Sequence, residues 1–179
     1  MKKTIIVIAC FIALGVHAQK YYTKTGTTEL KASVAAFEPV EATNKSTSVV
    51  LKADTGDIAA LLFIKAFRFK VALMEEHFNE NYMDSDAFPK ATFKGKIQEF
   101  DLEFTGQKEF KIIGTLTVRG INKEIETTGT FSKNDEKLSL NATFSVKPQD
   151  FDIKIPNIVR KKIAETIHLT LNYELIQKK

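Results

Sequence analysis

The sequence predicts an all-β fold: an antiparallel barrel of about eight strands, with one amphipathic helix and a short second helix. Three observations carry this reading. After residue 90, apolar and polar residues alternate in five successive runs, the period of half-wet strands. Gly95, Gly114 and Gly129, followed by Ala142, fall on the apolar phase of their runs, a row of small residues that lets a sheet curl. Only the stretch around residues 71–82 shows a pronounced helical period. A closed barrel hides its edges, which favours it over a two-sheet sandwich, the alternative architecture.

The helix comes first because the chain turns on it. Val71, Met74, Phe78 and Tyr82 recur at three- and four-residue steps, with Leu73 and His77 beside them and Glu75, Glu76, Asn79 and Glu80 opposite. Asp84, Ser85, Asp86 and Pro89 end the pattern, because short polar side chains compete for backbone bonds and proline cannot continue a helix. Such a stripe needs an apolar partner, and the barrel interior or mouth offers one.

Ahead of the helix, Tyr21 to Ser33 reads as one or two short strands around Gly26, and Ala35 to Asn44 as a connection. Thr47, Val49 and Leu51 mark a strand that ends at the turn Asp54-Thr55-Gly56-Asp57. Leu61 to Lys70 is apolar on both phases except at Lys65 and Arg68, which predicts a strand covered on both sides. Beyond the helix the inward sets are Ala91, Phe93, Gly95 and Ile97, then Phe110 to Val118, Ile125 to Phe131, Leu138 to Val146 and Ile167 to Leu175. Gly120-Ile121-Asn122-Lys123 and Lys133-Asn134-Asp135-Glu136 supply turns between them. Pro156 starts the expected second helix, with Ile155, Ile158, Val159 and Ile163 on one side and Arg160, Lys161 and Lys162 on the other. That basic side could meet anionic head groups or simply face solvent.

Residues 1–18 have the layout of a secretory signal peptide: Lys2 and Lys3, an apolar run from Ile5 to Val16, and small-residue cleavage after Ala18. Lipid attachment at Cys10 is the competing reading, but the apolar run continues past that cysteine. Cleavage removes the sole cysteine and two lysines, so the formal charge of +4 becomes +2 and thiol chemistry is lost. Residues 19–179 are then a single domain with room for a real core. Lysines and acids are interspersed, which excludes a basic nucleic-acid face. Fourteen phenylalanines and no tryptophan call for a large dry environment, because the phenylalanine ring has no polar handle.

Catalytic motifs are absent: no nucleophile elbow, phosphate loop, dinucleotide fingerprint, zinc-binding His-Glu-x-x-His run or calcium loop occurs. His77 and Glu80 have a spacing that could share a metal ion but lack further ligands, His168 lies on a polar strand face, and Asp150 with Asp152 reads as a wet turn. No enzyme, metal or cofactor is expected. A closed barrel of about eight strands either fills with side chains or holds one small ligand. The glycine row fits curvature alone or free volume for such a ligand.

Three stretches in register resemble the YceI-like family, lipocalin-like polyisoprenoid-binding proteins. They are His77-Phe78 with Tyr82-Met83-Asp84-Ser85 and Phe88-Pro89-Lys90-Ala91-Thr92-Phe93; Gly114 to Ile125, GTLTVRGINKEI; and Asp150-Phe151-Asp152-Ile153. Asn122 stands where threonine is usual and Glu124 where proline is common, both in a turn. The resemblance spans about Tyr21 to Leu175 and implies a lipocalin-like barrel closed off by the helix. Its tunnel would hold a polyisoprenoid, quinone or fatty-acid derivative in a periplasmic or secreted protein. On that basis Phe93, Ile97, Ile112, Leu116, Val118, Phe131, Leu140, Phe144, Leu169, Leu171 and Tyr173 are the expected tunnel wall, and Met74, His77 and Phe78 the lid. Methionine is suited to a lid over a flexible chain. The expected partner is a long-chain apolar small molecule, with transient membrane-surface contact and no nucleic acid. A ligand-free envelope module with a filled interior, or an enzyme on the same scaffold, are the competing functions.

Overall fold

The computed structural model describes residues 19–34, 37–134 and 137–178. The expected signal peptide, and Asp135 and Glu136 of one expected turn, lie outside these residues. Nine strands follow in order: β1 (Lys20–Ser33), β2 (Glu41–Lys52), β3 (Asp57–Phe63), β4 (Arg68–Phe69), β5 (Lys90–Ile97), β6 (Gln107–Val118), β7 (Ile121–Asn134), β8 (Lys137–Val146) and β9 (Ile163–Gln177). Eight of them form a closed antiparallel barrel in the order β1-β9-β8-β7-β6-β5-β3-β2, with β2 pairing back to β1. β4 adds a short extra pairing at one end of β2, Ala42 opposite Phe69 and Thr43 opposite Arg68.

The alternation does what period two dictates. On β9, Tyr173 and Leu175 are buried while Asn172, Glu174 and Ile176 are exposed, and on β5 Ala91 and Ile97 are buried while Lys94 and Lys96 are exposed. At Gly95 and Gly114, directly paired across β5 and β6, the backbones approach too closely for any side chain. A Cβ on Gly114 would stand 2.5 Å from Gly95 Cα and 2.5 Å from the Lys94 oxygen, and the Phe93 ring lies across both glycines. A Cβ on Gly129 would meet Ile112 and Leu140 at 2.7 Å. The space beside the glycine row is therefore taken by Phe93, Ile112 and Leu140. It is curvature and close packing, and the free volume lies beyond those side chains.

Four local expectations are narrowed or changed. Of the one or two short strands expected around Gly26, β1 forms a single long one with irregular register there. The connection before β2 ends at Val40, because Glu41, Ala42 and Asn44 already belong to the ladder; fully buried Asn44 donates to the Phe63 carbonyl at 3.0 Å. Leu61 to Lys70 is not one strand. β3 stops at Phe63, opposite Lys90, because its partner β5 is preceded by Pro89. The chain then turns through Ile64–Ala66, where the Ile64 amide donates to the Pro89 oxygen and Lys65 faces solvent beside Asp86. The second helix expected from Pro156 forms instead as turns over residues 157–162, with the Val159 amide donating to the Pro156 oxygen. A lone 3-10 turn occurs earlier, at Pro148–Phe151.

The first helix forms where its stripe predicts. α1 (Ala72–His77) runs on into a π-turn, Phe78–Tyr82, and it crosses the barrel mouth.

Candidate ligand-binding cavity

The barrel interior divides along its axis. Towards one end Phe110 and Phe131 pack with Phe100 from the β5–β6 connection, ring centroids 5.1–5.6 Å apart, and Phe104 caps Phe110 at 5.8 Å. Val49, Leu51, Ile97, Leu138 and Leu175 fill the same end with essentially no exposure. It is closed. The other end holds a cavity of about 470 Å3, bounded by Thr28, Ile58, Ile112, Leu140 and Tyr173 at its floor and by α1 at its mouth.

Of the residues expected from sequence to line a tunnel, Phe93, Ile112, Leu116, Val118, Leu140, Phe144, Leu169, Leu171 and Tyr173 border this cavity. Ile97 and Phe131 do not. Both have no exposure and sit in the packed end, so the bore is blind rather than a through-tunnel. Met74, His77 and Phe78 all border the mouth, as do Leu73 and Tyr82. Sequence reasoning missed Thr28, Leu30, Thr47, Ala60, Phe67 and Phe69, which also face the cavity. Thr28 shares a phase with Leu30 and Ala32, and that was the available signal.

The lid is fastened on one side. Phe78 stands between Phe67 and Phe69, at centroid distances of 5.6 and 5.1 Å. Glu75 accepts from Arg68 Nη1 at 2.9 Å and from the Phe69 amide at 3.1 Å, so one carboxylate ties α1 to β4. No α1 residue is fully buried, and Leu73 is more than half exposed. Few buried contacts mean a low local opening energy. Changing Glu75 to alanine should leave global stability within about 1 kcal/mol, because exposed ion pairs contribute little. Amide exchange across residues 72–82 should accelerate severalfold, as hydrogen–deuterium exchange would register; unchanged protection would show that the aromatic contacts alone hold the lid.

The cavity walls are almost wholly carbon. Charged Glu38 and Lys162 border it, both on connections at the mouth. The floor differs, with the hydroxyls of Thr28, Thr47 and Tyr173 in one hydrogen-bonded group. Burial pushes the Tyr173 phenol from 10.0 up to about 12, against a smaller opposing effect of its threonine partners. Its proton is therefore held more tightly in the folded chain than in the unfolded one. Tyr173 contributes its full stabilisation below pH 10 and loses it as pH rises towards 12. Tyr21 and Tyr82 are shifted in the same direction by burial. The part due to Tyr173 is isolated by Tyr173→Phe, whose stability should fall less steeply than wild type between pH 10 and 12 in denaturant titrations; parallel curves would contradict it.

The other polar candidates have separate surroundings among the described residues. His77 is exposed, Asp150 pairs with Lys123 at 3.3 Å, and the Asp152 carbonyl accepts from Arg119 at 2.7 Å. Among the described residues, no three histidine, cysteine or acidic side chains converge.

The sequence profile of the YceI-like domain matches residues 14–175. The chain belongs to the YceI-like family. This YceI-like chain is 26% identical over 107 residues to UPF0312 proteins of Pseudomonas savastanoi pv. phaseolicola and Pseudomonas syringae pv. syringae, covering 56% of itself and 52% of each relative. It thus spans about half the length of the curated relatives it matches. Solved structures share its barrel at low identity. A polyisoprenoid binding domain from Saccharophagus degradans, implicated in plant cell wall breakdown, superposes with a TM-score of 0.74 at 10% identity, over 89% of this chain and 98% of that one. BcnA of Burkholderia cenocepacia gives 0.70 at 15%, over 83% and 95%. The YceI protein of Campylobacter jejuni gives 0.65 at 18%, over 80% and 87%.

Proposed function

We propose that this YceI-like chain is a non-catalytic binding protein of the cell envelope that holds one long apolar or amphiphilic molecule in its barrel. A polyisoprenoid, a quinone or a fatty-acid derivative fits the description. The observation that carries this reading is the blind, carbon-walled cavity of about 470 Å3 beneath a lightly held helix. An apolar chain enters such a space without leaving a charge unpaired, whereas a polar substrate would be stripped of water with few partners. A void of that size argues against a ligand-free module with a filled interior. Likeness to the Saccharophagus degradans polyisoprenoid binding domain supports the ligand class. Met74, His77 and Phe78 would gate entry.

Export after cleavage near Ala18 belongs to the same proposal, as does brief contact with a membrane. Ile158 is 87% exposed at the β8–β9 connection, next to Arg160, Lys161 and Lys162, an arrangement suited to insertion among anionic head groups. The test is to express the full chain in a bacterial host, recover it from the envelope or medium, and weigh it by native mass spectrometry before and after lipid extraction. A bound lipid mass that disappears on extraction is expected. A chain that stays in the cytoplasm would sink the export step, and one that always emerges empty would sink the binding step.

A further inference from the structure

The deepest layer of the cavity is not all carbon. Thr28 on β1, Thr47 on β2 and Tyr173 on β9 bring three hydroxyls together there, with residue exposures of 2%, 1% and 5%. The Thr28 hydroxyl lies 2.9 Å from that of Thr47 and 3.0 Å from that of Tyr173. Gly26 permits this, since a Cβ there would stand 2.6 Å from Tyr173 Cδ1; the ring is laid against bare backbone. Each hydroxyl has one proton to donate and two lone pairs. Two contacts use two of the three protons. Thr47 also stands beside the Tyr173 hydroxyl, so the third proton can be used within the group, while lone pairs remain towards the void that all three residues border. A hydroxyl rotates to suit its partner, so the group can turn either a proton or a lone pair to an incoming oxygen.

We infer that the Thr28–Thr47–Tyr173 group is an oxygen-recognition subsite, which takes a neutral hydroxyl or carbonyl oxygen at the buried end of a lipophilic ligand. This deepens the binding function proposed above and rests on it. The oxygen is neutral because, among the described residues, no lysine, arginine or histidine borders the cavity beside the trio; a carboxylate or phosphate would be buried without a counter-ion. Tyr173 itself stays protonated and able to donate across the physiological range. The ligand therefore enters oxygen first, lays its chain along Leu171, Leu169 and Phe144, and leaves its apolar tail beneath Phe78. A trio that served only to join three strands at the barrel seam would have no effect on ligand choice.

The experiment uses delipidated full-length protein loaded with the fluorescent probe N-phenyl-1-naphthylamine, displaced by farnesol or by the corresponding hydrocarbon lacking the hydroxyl. Wild type should prefer the alcohol roughly tenfold, the effect of one well-made buried hydrogen bond. Tyr173→Phe and Thr28→Val, each close in shape to the residue it replaces, should each lose most of that preference, read as the ratio of the two affinities. Thermal unfolding checks that both variants are folded. Equal affinity of wild type for the two probes overturns the subsite and leaves the cavity a plain apolar one. A preference that survives unchanged in both variants also overturns it, because the oxygen then sits elsewhere. Displacement by neither probe overturns the binding function itself, and the subsite with it.

Discussion

Replacing Gly114 with valine is expected to cost the barrel about 3 kcal/mol or more, a large share of the roughly 5–15 kcal/mol that keeps an ordinary domain folded. The cost does not come from backbone dihedrals. Gly114 lies in β6 directly opposite Gly95, and its missing side chain is what lets the two strands and the Phe93 ring share one layer. Any Cβ there meets backbone atoms at 2.5 Å, and backbone in a sheet cannot yield as a side chain tip can. Relief would need β5 and β6 to separate, breaking ladder bonds in the middle of the closed sheet. Gly106 is the control. It has φ +71 with nothing near its absent Cβ, so Gly106→Ala meets only the left-handed backbone penalty of about 1 kcal/mol. Denaturant unfolding followed by circular dichroism compares the two. A Gly114→Val midpoint no lower than that of Gly106→Ala would mean that the strands tolerate separation and that the glycine pair is not what closes the barrel.

That glycine pair was legible in the sequence as a phase, and its physical use was not. Period-two alternation identifies the inward residues of β5 to β9 because each strand has one wet face. It failed where the deciding partner lies far away in sequence. The end of β3 at Phe63 is set by Pro89, which cannot donate to a ladder, and nothing within Leu61 to Lys70 announces it. The start of β2 was hidden because its inward residue is Asn44, a polar side chain that is nonetheless fully buried and bonded to the Phe63 oxygen. Local propensity gave way to tertiary contact in both places.

Depth along the barrel axis was the other missing quantity. Ile97 and Phe131 share a phase with Phe93 and share their fold position with wall residues, yet they belong to the plug. Alternation reports which face a residue occupies, and says nothing of whether that level is filled from the opposite strands. The plug depends on Phe100 and Phe104, which come from a connection with no strand pattern to mark them. The lid was easier to read. A helical stripe inside an all-strand chain can cover little except the barrel, and Met74, His77 and Phe78 follow from that constraint.

Filling the cavity should separate binding from folding. Ala60 on β3 is half-buried, faces the void, and pairs with Val49 on one side and Phe93 on the other. Ala60→Phe would place a ring in space that the protein leaves empty. Unlike Gly114, Ala60 already carries a Cβ, so the strands on either side have room for a side chain there. Burying the ring contributes on the order of 1.5–3 kcal/mol against the strain of fitting it, so the melting temperature should hold or rise. Affinity for an apolar chain should fall at least roughly tenfold, because ligand and ring compete for the same volume and each displaced methylene is worth about 0.8 kcal/mol. Val50→Phe, at an exposed position on the outer face of β2, should change neither property by much. Displacement titrations and thermal melts on the same samples would decide the matter. A stable Ala60→Phe protein that binds apolar chains as tightly as wild type would move the ligand out of the barrel altogether, to the exposed rim around Leu73 and Ile158.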